Sequence, residues 1–183
     1  MNKLFIIVTS LLMSLFIVPH QVFAKVTPTP TAIPAPKVNE YPLPYPGILP
    51  DHPLYFLKTA RDWLLDRLIA DPGRKAEFYI LQADKRLQMG ALLIEKDKAQ
   101  LGETTISKGE KYQAQAVQSL SAIDKAGNDV PGHLIDRVER SLLKHSETLA
   151  SLIGKSSDPV KSGLTGSLEL VKTLQTDVAA LKQ

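Results

Sequence analysis

The segment ALLIEKDKAQLGETTISKGEKY, residues 91–112, decides the fold. Read as one helix, it turns everything from Pro72 to Ala126 into a single long rod. Broken near Asp97, it folds the same residues back into a hairpin. Asp97 with Gln100 three positions on forms an Asp-started variant of the capping box, which marks a helix start. Leu101, Thr105, Lys108, Tyr112, Ala116, Ser119 and Ile123 then keep helical spacing through Gly102. On that reading Gly102 sits inside a helix at a cost of about 1 kcal/mol against alanine, which a long packed face offsets. The alternative carries the preceding helix through Leu101 and stops it at Gly102. The turn near Asp97 is the reading adopted.

Prolines punctuate the rest. Pro53, Pro72, Pro131 and Pro159 fit the first turn of a helix, where a missing N–H is not needed. Asp71 and Asp158 precede two of them as candidate N-caps. These marks predict a helix from Pro53 to about Ala70, with Leu57, Ala60, Leu64 and Leu68 on its buried stripe and Phe56 and Trp63 beside it. A second starts at Pro72 with Ala76, Ile80, Ala83, Leu87, Ala91 and Ile94 on one face. A third ends near Ala126, before Gly127 and Asn128, a stop signal. A fourth, Pro131 to Ile153, has Ile135, Val138, Leu142, His145, Leu149 and Leu152 at spacings of three and four. A fifth, from Pro159, repeats this with Val160, Leu164, Ser167, Val171, Leu174, Val178 and Leu181. No strand pattern is present. The expectation is an all-α, antiparallel up-down helical bundle of four long helices plus a shorter N-terminal one.

Ahead of the helices, residues 1–24 have one cation, Lys3, an apolar run from Leu4 to Val18, and a Val22-x-Ala24 exit, the layout of a secretory signal peptide cut between Ala24 and Lys25. A retained leader, serving as a membrane tether, is the alternative. Removing 24 of the 183 residues leaves 159, a length that fits one domain with a tail. Nine of the thirteen prolines lie between Pro28 and Pro53. Residues 25–45 therefore read as a Pro/Thr-rich disordered linker, largely polyproline II, and 46–183 as the bundle domain.

The formal charge is +3 over the whole chain, too balanced for the basic field that nucleic-acid binding uses. Cysteine is absent. Disulfide staples, thiolate metal sites, a nucleophilic cysteine and a thiol-linked lipid are thereby excluded. None of the three asparagines opens a glycosylation sequon, and no phosphate loop, dinucleotide fingerprint, His-Glu-x-x-His or serine elbow occurs.

His145 is the one candidate ligand of interest, because it falls on the buried stripe of its helix. A metal or haem bound there would draw on Met89 as a conceivable opposite ligand, although Met89 lies off its helix's best stripe. A hydrogen-bonded core histidine is the simpler expectation. His52 and His133, beside prolines, read as turn or cap residues. Tyr55, Phe56, Trp63, Phe78 and Tyr79 are expected to bury one another between the first two helices, with an aromatic groove for a ligand as the alternative.

The string Pro46-Gly47-Ile48-Leu49-Pro50-Asp51-His52-Pro53-Leu54-Tyr55-Phe56-Leu57-Lys58, followed by Asp71-Pro72 and Ala76-Glu77, resembles an uncharacterised bacterial domain-of-unknown-function family. Its members are exported or membrane-tethered helical proteins with a Pro-Gly-x-Leu-Pro-x-x-Pro-Leu-Tyr-x-Leu-Lys entrance. The likeness spans most of residues 46–120, with Phe56 where a proline is expected. It implies an extracytoplasmic helical domain and brings no catalytic residues. The resulting expectation is a non-enzymatic interaction or structural module of the bacterial envelope, without cofactor. Its partner would be an envelope protein or surface polymer, with membrane contact only through an uncleaved leader. A small-molecule, metal or haem-binding bundle acting as carrier or sensor is the alternative.

Overall fold

The structure, a computed structural model, describes residues 41–182. The expected signal segment, the Ala24–Lys25 cut and the linker up to Glu40 lie outside them. Five helices are present among the described residues: α1 Tyr55–Leu68, α2 Pro72–Glu95, α3 Ala99–Lys125, α4 Gly132–Lys155 and α5 Val160–Ala180. The described residues are all-α and build a four-helix bundle, as the periodicity predicts. α2 to α5 contain 24, 27, 24 and 21 residues, or about 32 to 40 Å at 1.5 Å per residue.

The break between α2 and α3 falls at Asp97, by a different device from a capping box. Asp97 adopts φ 59°. Lys98 N–H donates to Leu93 O at 2.8 Å and Asp97 N–H to Ile94 O at 3.1 Å, the paired bonds of a Schellman ending with Asp97 in the left-handed position. Lys98, not Asp97, is the N-cap of α3, and its side chain makes no cap bond. Asp97 thus closes one helix instead of opening the next. Gly127, φ 73°, ends α3 in the same way, with Asn128 N–H reaching Ile123 O at 3.2 Å. At α2 the expected cap is present, since Arg74 N–H donates to Asp71 Oδ1 at 2.8 Å. Asp158 is no cap: α5 starts after Pro159 without a side-chain bond.

Side-chain neighbours fix the arrangement. α2 and α3 are antiparallel, with Gly90 against Gly102 and Ala83 against Gly109. α4 and α5 form a second antiparallel hairpin, tied at its open end by Lys182 Nζ to Glu139 Oε2 at 2.8 Å. The hairpins stack so that α2 lies beside α4 in parallel, Gly73 next to Leu134 and Asp84 next to His145. α3 lies beside α5 in the same sense, Glu103 against Gly163 near both starts. Consecutive α3 and α4 therefore meet across a diagonal.

Ile80, Leu87, Ile106, Leu120, Leu142, Leu149 and Leu164 are fully buried between these helices. The seams predicted for α4 and α5 are the buried ones, except that Leu181 is half-buried just past the end of α5. That of α3 is shifted: Leu101 and Lys108 are exposed, and Gly102, Ile106, Gly109, Gln113, Ala116 and Leu120 face inward. A search for apolar periodicity misses a seam made largely of glycine and polar residues.

α1 is reversed relative to expectation. It runs antiparallel along α2, Asp66 beside Tyr79, Asp62 beside Arg86 and Lys58 beside Met89. The inward face is polar. The stripe expected in the core faces solvent instead: Leu57 is 55%, Leu64 51% and Leu68 69% exposed, with Phe56 at 61% and Trp63 at 59%. The first-helix aromatics therefore do not bury one another. Tyr79 packs instead with Phe78 and Tyr112, at centroid distances of 5.7 and 5.9 Å.

Candidate functional site

Two hairpins closing on each other leave one strongly polar layer at mid-height. α2 supplies Asp84, α3 Glu110 and Gln113, α4 Ser141 and His145, and all five are buried. His145 Nδ1 lies 2.9 and 3.0 Å from the two oxygens of Glu110, and Nε2 lies 3.2 Å from Asp84 Oδ1. A carboxylate on each side makes both nitrogens donors, which requires the charged imidazolium. Ser141 Oγ donates to Asp84 Oδ1 at 2.5 Å, and Gln113 Nε2 donates to Ser141 Oγ at 2.5 Å. Tyr41, from the strap ahead of α1, closes the layer by donating its hydroxyl to Asp84 Oδ2 at 2.6 Å. Gln113 Oε1 has no hydrogen-bond partner.

Burial alone would push the His145 imidazole down. The charge of Glu110 and the hydrogen bonds to Asp84 and Glu110 outweigh it and raise the group from 6.5 to about 9. The Tyr41 hydroxyl is pushed up to about 12, chiefly by burial and then by the Asp84 charge, with Arg137 opposing.

The sign for stability follows. A histidine raised in the folded state stabilises it fully below about pH 6.5, and that contribution is lost as pH rises through about 9. The shift corresponds to something on the order of 3 kcal/mol. We expect an NMR titration to show the His145 ring still charged at neutral pH with a midpoint near 9. Its unfolding free energy should decline across the same interval, and a ring that titrates near 6.5 would contradict the arrangement.

His145 is therefore on the buried stripe where its spacing places it, but its geometry is that of an ion clamp. Both ring nitrogens are occupied on opposite sides, leaving no lone pair for iron or zinc. No group of three or more His, Asp or Glu side chains is placed to hold a metal among the described residues. Met89 points toward α1, its Sδ 3.7 Å from Lys58 Nζ. Asp84 and Glu110 were the residues that sequence reading passed over. Their signal is a carboxylate sharing a helix face with small or apolar residues, Ala83 and Leu87 for Asp84, Ile106 and Gly109 for Glu110.

The entrance string forms a brace. Tyr41 and Leu43 already pack on the bundle, ahead of the expected boundary at Pro46. Pro46 is buried and Gly47 takes φ 73°. Lys58, one turn into α1, reaches back to donate to Pro46 O at 2.6 Å. That bond explains why a lysine ends the string: α1 cannot leave the strap without losing it. Burial lowers the Lys58 amine to about 8, although Asp62 acts against this. Asp51 pairs with Lys98 at 2.6 Å, pinning the strap to the α2–α3 turn, and Lys98 holds the Asp51 carboxyl below its usual range. Leu49, Pro50 and Tyr55 are half-buried; Pro53, Leu54 and Leu57 are exposed. His52 is a turn residue, its Nδ1 accepting from Leu54 N–H at 3.1 Å.

The inward side of α1 is held by charge. Arg61 donates to Asp62 Oδ1 at 2.6 Å, and Arg86, buried and stacked over the Tyr112 ring at 4.2 Å, approaches Asp62 Oδ2 at 4.0 Å. Asp66 accepts from Tyr79 at 2.5 Å and lies 3.9 Å from Lys75. Both acids of α1 are thus directed at the bundle. Its outer arc carries Phe56, Leu57, Ala60, Trp63, Leu64 and Leu68, with Arg61 at one edge and Arg67 within it, the Arg67 guanidinium 4.4 Å from the Trp63 ring. No described helix is long and apolar enough to cross a membrane.

Comparison with family models matches residues 47–159 to the family described as a domain of unknown function, DUF5667. The match runs from the left-handed Gly47 through α4 and contains every member of the buried layer except Tyr41. No curated protein and no solved structure matches the chain.

Proposed function

We propose that this chain, which belongs to the DUF5667 family, is a non-enzymatic interaction module of the bacterial envelope, working outside the cytoplasm through the outer face of α1. The single observation that carries the reading is the reversal of that helix. A surface helix ordinarily buries its apolar stripe, and a contiguous apolar patch left in water marks a contact surface. Here the polar side is sealed against α2 by Asp62 and Asp66, so the apolar side is what the molecule presents. The leader-like residues 1–24 support an extracytoplasmic setting. The sealed ion clamp supports a structural rather than catalytic role for the core, and its occupied imidazole gives the carrier reading nothing to bind with.

The test is a photo-crosslinking residue at Leu64 or, as a control, at the exposed Lys172 of α5, in the chain expressed in a bacterial envelope. Adducts are expected from position 64 and not from 172. Equal adducts at both, or none at 64, would overturn the reading.

A further inference from the structure

We propose that the surface α1 docks on is an anionic lipid surface, with the helix lying in the headgroup layer; this rests on the interaction-module reading above. The argument is the distribution of charge around one helix. α1 contains two acids and three bases besides its apolar residues. Both acids face the bundle and are engaged there, Asp62 with Arg61 and Arg86, Asp66 with Lys75 and the donated hydroxyl of Tyr79. What remains on the outside is apolar surface with Arg67 set within it, stacked on Trp63, and at one edge Arg61, which holds Asp62 while its side chain stays 57% exposed. Pairing two copies through this arc would bring like charges together. A negatively charged lipid surface complements it.

The residue types and their order fit a helix that lies in the interface. Such helices put Trp, Phe and Leu below the headgroups and Lys or Arg at their level, where long side chains extend back to the phosphates. Trp63 occupies the outer arc with Arg67 stacked on its ring, an amphipathic pair of the kind interfaces enrich. Around the helix, Ile48, Leu54 and Tyr45 are also exposed, and Lys58, Arg61 and Lys85 line the adjoining groove. The docking face thus continues from α1 onto the strap. Sequence adds direction: the apolar run Leu4–Val18 lies upstream on the same chain, and the strap leads into α1, the first of the described helices. Membrane contact would then involve the folded domain as well as any retained leader.

Trp63 is the only tryptophan of the chain, so its emission reports on α1 even if the leader also partitions into lipid. The full chain is titrated with vesicles of phosphatidylcholine containing phosphatidylglycerol, and separately with phosphatidylcholine alone. Trp63 emission is expected to move to shorter wavelength with the anionic vesicles, far less with the neutral ones, and the response should weaken with added salt. Leu64→Glu should abolish it while helix content by circular dichroism stays unchanged, because Leu64 is exposed. Arg67→Gln should weaken partitioning about fivefold, one headgroup-level charge being lost. Emission unmoved by anionic vesicles, or moved equally by neutral ones, would overturn the proposal. Should the emission stay fixed while position 64 still crosslinks to protein, the lipid assignment falls and the interaction face stands. If neither responds, both fall.

Discussion

His145→Ala is expected to destabilise the folded chain by about 3–5 kcal/mol, read as a fall in the urea midpoint. Removing one partner of a buried ion cluster leaves the others as uncompensated charge. Here two carboxylates would remain, Glu110 and Asp84, both buried, with the imidazolium between them gone. The loss should be shared, not additive. Glu110→Leu alone leaves the buried Nδ1 without its acceptor and Asp84 as the ring's remaining carboxylate, yet combined with His145→Leu it removes both members of the Nδ1 pair and leaves Asp84 its bonds from Ser141 and Tyr41. The double variant should therefore be more stable than the sum of the singles predicts. Strict additivity would show that the ring and the carboxylate do not act on each other.

Gly102→Ala should show a sign opposite to helix propensity. Within a helix, glycine to alanine gains about 1 kcal/mol. A Cβ on Gly102 would stand 2.7 Å from Gly90 O and 2.6 Å from Ile94 Cγ1, inside contact distance of a backbone atom that cannot move independently. Overpacking of this kind costs about 1–3 kcal/mol, and the facing Gly90 is equally closed, its own Cβ meeting Gly102 O at 2.6 Å. The control is Gly166 in α5, where a Cβ meets nothing within 4 Å. Gly166→Ala should stabilise by about 1 kcal/mol while Gly102→Ala destabilises by a similar or larger amount. Parallel shifts in the two denaturation curves would show that α2 and α3 do not approach as described.

These two sites also explain what the sequence hid. The bundle itself was legible: the prolines mark the helix starts to within two residues, although only Pro72 lies in a first turn, with Pro131 and Pro159 as N-caps and Pro53 ahead of the N-cap Leu54, and the seams of α4 and α5 follow spacings of three and four, a pattern made by burial. α3 was misaligned by a residue because its contact with α2 is made by Gly102 and Gly109, side chains too small to register as hydrophobic, and its contact with α4 by Glu110 and Gln113. The ion clamp was half visible. His145 sits on an apolar stripe, but its partners lie on two other helices, and only the fold brings residues 84 and 110 to 145. α1 was misread for a physical reason: an apolar stripe predicts a contact without saying with what, and the assumption that it lies within the same molecule places it on the wrong side. The capping signal at Asp97 located the turn while mistaking its chemistry, since an acidic residue that tolerates positive φ serves a helix end as readily as a helix start.

The clamp's members are divided between the hairpins: Asp84, Glu110 and Gln113 come from α2–α3, Ser141 and His145 from α4–α5. Leucine and isoleucine seams alone would accept several offsets of one hairpin along the other at similar energy. A slip by one helical turn, about 5.4 Å, would withdraw the imidazolium from both carboxylates and leave three charges dry. The polar layer thus acts as an index mark that selects one alignment of two otherwise greasy halves, a use of buried charge that need not add net stability.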